Sequence, residues 1–446
     1  MGSMVESLEK LTPIILKFAN SKSVVALKDG VMTIIPLTLI GSVFLLLAFL
    51  PIPGWNDWMA SLFGVHWQEP LFQVVGATFD IIALVSVFGI SYYYSRNEGC
   101  EPISSGVLAV VSFIIVTASS VTTKNGEIVG GVIPKTWTGG KGMIAAILIG
   151  LTVAYIYSWF VKRKITIKLP EGVPQGVANA FTALIPGVVI VTLSFFVYIL
   201  FKTVVNKTFI EFIYQLLQTP LQGLSSSLFG AIAIPFLISF LWWFGIHGPA
   251  VVLDGLMRPI VLANCLENQD IINAGGTLIA GQNAHIVTPQ FVDQFITFGG
   301  SGMTLGLVIA MIFMSKSKQM KQLGKLAIIP GLFNINEPII FGFPIIFNPV
   351  MLVPFILVPT LSGIITYFSI AVGLVPPFTA VQVPWTTPPL ISGFIVGGWR
   401  AALLQLLLIF MAALVYLPFL KVQDKQHLKE EKQAEQENPA AAKLTM

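Results

Sequence analysis

Glu337 stands in the run Gly331 to Pro344, GLFNINEPIIFGFP, and is followed by 62 consecutive residues without one Asp, Glu, Lys, Arg or His. An ionised side chain at membrane depth costs about 2.5–3.5 kcal/mol on insertion scales and more in simulations, so a chain keeps one where it faces a polar cavity or a partner. In Asn334-Ile335-Asn336-Glu337-Pro338, two amides and the carboxylate precede a proline, which disfavours α conformation at Glu337 and sets a backbone break there. Carboxylates and amides suit hydroxyl-rich ligands, because each hydroxyl both donates and accepts, and a site so built rejects analogues that lack the hydroxyls. The competing reading is a structural carboxylate satisfied by local backbone donors.

Other polar residues in apolar surroundings are few enough to weigh singly. His247, in Phe244-Gly245-Ile246-His247-Gly248-Pro249, carries an imidazole with a reference pKa of about 6.5, able to bond a hydroxyl or take its proton. A hydrogen bond between helices is its other reading. Trp385, in Val383-Pro384-Trp385-Thr386-Thr387, offers a flat face for the C–H side of a sugar ring, or an anchor at the membrane interface. Asn283 and His285, in Gly281-Gln282-Asn283-Ala284-His285, lie in a polar stretch and add an amide and an imidazole, with loop hydrogen bonding as the alternative. Asp254 and Arg258 stand four apart on one expected helix and read as a structural ion pair, with a role in translocation as the alternative. Asp80 interrupts an apolar run and must be neutralised by packing or protonation. The four histidines show no metal-ligand spacing and no GxxxxGK[ST] phosphate cradle is present, so no cofactor or metal is expected. Cys100 and Cys265 lack CxxC spacing and read as inert.

The elements that must position these residues are apolar helices. Of 446 residues, 55% are hydrophobic and 10% charged, against roughly 25% charged in a soluble domain, and the mean hydropathy is +0.83. The chain is therefore expected to be an all-α polytopic membrane protein in a lipid bilayer. Its formal charge of +4 sits in short loops, where it reports orientation and does not imply nucleic acid. Spans are expected near 30–50, 71–95, 103–121, 142–161, 178–201, 228–247, 249–265, 301–315, 347–371 and 396–420, about ten transmembrane helices. The loop 51–70 has no Lys or Arg and is expected outside, whereas Lys162-Arg163-Lys164 and Lys316, Lys318, Lys321 and Lys325 fall inside, which puts both termini in the cytoplasm. Lys124, Lys135 and Lys141 run against this bias.

Residues 1–29 read as a cytoplasmic N-terminal segment, amphipathic over Leu8, Leu11, Ile15 and Phe18, and 202–226 as an interfacial helix that separates a membrane half 30–226 from a second half 227–420. Residues 421–446 read as a solvated cytoplasmic tail. The stretches 271–300, 329–346 and 374–392 are polar or broken by Pro and Gly, and read as re-entrant hairpins lining a site, since irregular backbone at membrane depth needs protein or a water-filled cavity around it.

GLFNINEPIIFGFPIIFNP resembles the signature of the membrane IIC component (permease) of bacterial phosphoenolpyruvate-dependent sugar phosphotransferase systems, lactose/cellobiose/diacetylchitobiose group. FANSKSVVALKDGVMTIIPLTLIGSVFLL, FLWWFGIHGP and VPWTTPP are similar to that group as well, so the resemblance covers nearly the whole chain. It implies a homodimer in the cytoplasmic membrane, with the N-terminal half making the dimer contact and the C-terminal half binding a β-linked disaccharide. It further implies that a phosphorylated IIB protein, with IIA upstream, phosphorylates the sugar inside. Carried over, Glu337 holds hydroxyls near the acceptor position and His247 is the histidine of the FGIHGP motif, so these two are the expected catalytic pair. Glu337, Asn336, His247, Trp385, Asn283 and His285 form the expected sugar site. This chain has no evident phosphocysteine, so it is not an enzyme alone. Two other classes stand beside this reading: a proton-coupled secondary transporter with Glu337, His247 and Asp80 as relay, and a membrane transferase with a lipid-linked donor, for which no acid or metal cluster is found.

Overall fold

The computed structural model describes residues 17–18, 20–50, 54–123, 125–170, 172–343 and 345–437, and side chains up to 433. Most of the expected amphipathic segment, with Leu8, Leu11 and Ile15, lies outside these residues. The described chain is made of helices and connecting loops, and its strands among the described residues form one two-stranded antiparallel hairpin, Ser120–Thr122 with Ile128–Gly130, in the loop expected after the third span. Seven helices among the described residues are long and apolar enough to cross a membrane, and a bent pair, Phe209–Ser225 with Leu228–Trp243 at 78°, makes an eighth. The expected spans near 103–121 and 301–315 appear as shorter apolar helices, Pro102–Ile115 and Leu305–Met314. In both cases glycines, polar residues or turns end the helix before it reaches the roughly 20 residues a full crossing requires.

The described chain forms two compact units. The first takes in the chain up to Ser225 together with Leu253–Gly275; the second takes in Ser226–Val252 and the chain from Gly276 onward. In the first, the helices Lys22–Met32 and Ile82–Asn97 meet at glycines: a Cβ on Gly30 would lie 2.4 Å from the Ile90 nitrogen, and one on Gly89 2.8 Å from the Gly30 oxygen. Small residues allow this backbone approach, which drives helix packing where lipid removes the hydrophobic gain. A serine ladder links buried hydroxyls between Ile82–Asn97, Pro102–Ile115 and Met143–Lys162. In it, Ser91 and Ser95 Oγ lie 2.8 and 2.7 Å from Ser105 Oγ, and Ser158 Oγ lies 3.4 Å from Ser95 Oγ. Glu98 joins both Lys22, at 2.9 Å, and Lys162 at the end of this bundle. Cys100 and Cys265 are buried thiols outside any disulfide, and burial pushes the Cys100 thiol above its ordinary pKa.

In the second unit Leu228–Trp243 packs on Pro349–Ala371, where a Cβ on Gly363 would lie 2.3 Å from the Ala231 oxygen. Leu305–Met314 packs on the last helix, Ile391–Glu437, which is interrupted at Gly398 (φ 72°). The sequence reading treats 421–446 as a solvated tail. In the structure the helix extends to Glu437 and Asp424 is 7% exposed. Its Oδ atoms accept from the Lys316 and Ser317 N–H groups at 2.8 and 2.9 Å, and Glu431 Oε1 accepts from Ser317 Oγ at 2.6 Å and from Gln319 N–H at 2.9 Å. These two carboxylates cap the start of the helix Lys318–Leu332, whose other end delivers the Asn334 to Glu337 run.

Candidate functional site

Helix Lys318–Leu332 stops at Phe333, and Asn334 turns the chain through the left-handed region (φ 66°), which Asn tolerates better than most residues. Its buried side chain ties three segments together. Oδ1 accepts from Gly299 N–H at 2.6 Å, while Nδ2 donates to the carbonyls of Trp385 (2.6 Å) and Thr387 (3.0 Å). Asn336, equally buried, donates through Nδ2 to the Ser301 carbonyl at 2.7 Å and to Thr304 Oγ1 at 3.1 Å. Gly300 (φ 86°) permits this contact, since a Cβ there would lie 2.2 Å from Asn336 Cγ. The three broken stretches anticipated from the sequence are thus joined by the two amides of one motif.

Glu337 begins the short helix Glu337–Gly342 and is exposed, and its carboxylate takes no hydrogen bond or ion pair among the described residues. Its neighbours in the motif are committed to structure, whereas the carboxylate is left open to a ligand. Trp385, 57% exposed, is held by its backbone to Asn334 three residues from Glu337, with its indole available.

His247 lies in the turn after Leu228–Trp243 and is exposed. Its ring packs on Trp242 with centroids 4.8 Å apart, and its Nδ1 accepts from Ala250 N–H at 3.2 Å. A Cβ on Gly248 would lie 2.0 Å from the Ile238 carbonyl, so the turn requires glycine there. Trp243 binds the connector that follows the Glu337 helix: its Nε1 donates to the Asn348 carbonyl at 2.9 Å, and its carbonyl accepts from Phe347 N–H at 3.0 Å. The FGIHGP turn and the Glu337 helix are therefore tied to one short connector.

Asn283 stands apart from this arrangement, for its amide closes its own loop, accepting from Ile279 N–H at 2.8 Å and donating to the Thr277 carbonyl at 3.0 Å. His285 is half-buried beside Ile286, whose N–H donates to Ser226 Oγ at 2.8 Å. Sequence reasoning passed over Gln290 and Gln294, both buried on the helix Pro289–Phe295. Gln290 Nε2 donates to the carbonyls of Thr379 and Val381 at 2.8 and 2.7 Å, a further tie to the segment leading to Trp385, and the Oε1 atoms of both glutamines have no partner among the described residues. The signal was present: two amides four apart in the run TPQFVDQF, beside Asp293.

Elsewhere, Asp254 pairs with Arg258 at 2.9 Å as its spacing suggested. Asp80 pairs with Lys135 at 3.5 Å, so this intramembrane carboxylate has a named counter-ion.

The sequence profile of the family described as phosphotransferase system, EIIC matches residues 28–359. The chain belongs to the EIIC family of the phosphotransferase system. It is 42% identical to the putative permease IIC component YwbA of Bacillus subtilis, over 96% of both chains. It is 40% identical to the cellobiose-specific EIIC component of Geobacillus stearothermophilus, over 97% of this chain and 96% of that one. Among solved structures it superposes on the transporter ChbC, the IIC component of the N,N'-diacetylchitobiose-specific phosphotransferase system, with TM-score 0.90 and 40% identity, covering 95% of this chain and 98% of that one. This EIIC protein is accordingly a multi-pass sugar permease of the bacterial plasma membrane, and membership in the family favours group translocation over the proton-coupled alternative.

Proposed function

We propose that this EIIC protein binds a β-linked disaccharide of the cellobiose or diacetylchitobiose kind and presents it to a phosphorylated IIB protein, charged through IIA, on the cytoplasmic side. The names of its relatives support the substrate class, and the unpartnered carboxylate of Glu337, directly after two structurally committed amides, carries the assignment of the site. Sugar hydroxyls donate to Glu337, which is placed to accept the proton that leaves the acceptor hydroxyl as the phosphoryl group arrives. Because His247 Nδ1 accepts the Ala250 N–H, its neutral ring carries hydrogen on Nε2 and acts as a donor to sugar oxygen. Trp385 covers the apolar face of a ring. Asn336 supports the site through its backbone ties, and Asn283 and His285 shape the loop ahead of Gln290. The protein works as a homodimer through its N-terminal half, with both termini cytoplasmic.

The decisive variant is Glu337→Gln. It preserves shape and removes only the charge, and because the carboxylate has no internal partner, expression and thermal stability are expected to match wild type while disaccharide binding in detergent is lost. Wild-type affinity in this variant would refute the assignment.

A further inference from the structure

The first unit contains a cavity of about 340 Å³, at the small end of the range typical of ligand pockets, about 300–1,000 Å³. Asp80, Glu267 and Asp270 bring three carboxylates to it, Lys135 and Lys141 bring two ammonium groups, and Val75, Phe79 and Leu266 supply apolar wall. Two of its features are built rather than incidental. Gly76 makes room for the Asp80–Lys135 pair, since a Cβ there would lie 2.8 Å from Lys135 Nζ and 3.0 Å from Asp80 Oδ2. Glu267 is fixed by Tyr214 OH and Gln222 Nε2, each donating to its Oε1 at 3.1 Å. Ionisable groups at membrane depth are costly enough to mark pathways by default.

The lining selects among ligand classes. Three carboxylates disfavour an anion and two ammonium groups disfavour a cation; the described residues hold no His/Cys/Asp/Glu group arranged for a metal ion. A neutral polyol satisfies both signs, because each hydroxyl donates to a carboxylate and accepts from an ammonium, while the apolar wall takes the C–H face of a ring. The walls come from the start of Glu69–Asn97, the end of Pro249–Asn273 and the loop carrying Lys135 and Lys141, which share the external side under the orientation proposed above.

We propose that this cavity is a second, weaker sugar-docking site, formed by the first unit alone and separate from Glu337, where external sugar is held before translocation. This rests on the reading of the chain as a sugar permease. The same pocket accounts for Lys135 and Lys141, two of the three lysines that sit on the side where positive charge is disfavoured.

The test titrates cellobiose and diacetylchitobiose into purified full-length protein in lipid nanodiscs, by calorimetry and by ligand-observed NMR saturation transfer, with hydrogen exchange of 135–141 and 266–273 as a second readout. Wild type is expected to show a tight and a weak mode. Glu337→Gln keeps the weak mode and its exchange protection. Asp270→Asn, whose side chain takes no hydrogen bond among the described residues, keeps the tight mode and weakens the other by about tenfold or more. If Asp270→Asn fails to fold, Lys141→Gln and the exchange readout on Glu337→Gln decide the matter. A weak mode that is absent from Glu337→Gln, or unmoved by Asp270→Asn, overturns this proposal and leaves the permease reading standing on the tight mode. No binding of either sugar to wild type overturns both.

Discussion

Asn334→Ala separates scaffold from ligand within a single motif. The amide makes three bonds to buried backbone, accepting from Gly299 N–H and donating to the Trp385 and Thr387 carbonyls. Truncation strands a buried N–H, which costs about 1–3 kcal/mol, and leaves two carbonyls under-satisfied, a smaller penalty each. It also places alanine at φ 66°, a conformation costing roughly 1–2 kcal/mol for residues with a Cβ other than Asn and Asp. About 3 kcal/mol in total, borne by the joint between the Glu337 turn and the Trp385 segment, shows first as local opening. If only the joined form binds sugar, apparent affinity falls by the fraction that stays joined, up to about 100-fold. Calorimetric sugar titration and hydrogen exchange at Gly299 measure both halves of the claim. Faster exchange together with a large affinity loss is expected, in contrast to Glu337→Gln, which loses affinity with unchanged exchange. Wild-type exchange at Gly299 in Asn334→Ala, or opened exchange with undiminished affinity, would refute the stitching argument.

Two further outcomes are expected. His247→Ala removes a ring donor and its packing on Trp242, so sugar binding and phosphorylation by phosphorylated IIB should fall together; retained binding with lost phosphorylation would make His247 a proton acceptor instead. Asp424→Ala leaves the Lys316 and Ser317 N–H groups without their acceptor, and charge-assisted bonds of about 1.5–3 kcal/mol each predict a lower unfolding midpoint and faster exchange at those two amides, with Glu431→Ala milder.

The apolar runs were legible because lipid imposes a length rule on helices, and each expected span has a helical counterpart. What composition could not set was where a helix stops: Leu305–Met314 is shortened by Gly299, Gly300 and Gly302, all at positive φ, whose turns are fixed by partners far away in sequence. Glu337 stood out because a charge in an apolar run is expensive whatever the fold. Asn334 and Asn336 were visible as polar residues, but whether an amide faces a ligand or a carbonyl depends on Gly299 and Ser301, some 35 residues upstream, and nothing local announces that pairing. Asp424 and Glu431 were hidden for the same reason. A charged segment reads as solvated until the backbone N–H groups that it caps are seen.

The lysines that defied the orientation rule carry the broader lesson about this chain. Asp80 in a span and Lys135 and Lys141 in an external loop were separate anomalies in the sequence, each penalised by a rule of its own. In the structure they meet at one cavity, with Lys135 as the counter-ion of Asp80 and Gly76 leaving the space for the pair. An intramembrane carboxylate with a fixed counter-ion, such as Asp80, has its charge already matched, whereas Glu337 has none and needs a ligand or a proton to complete its surroundings. That difference is the reason we propose Glu337 for the principal sugar site and the cavity at Asp80 for the weaker one.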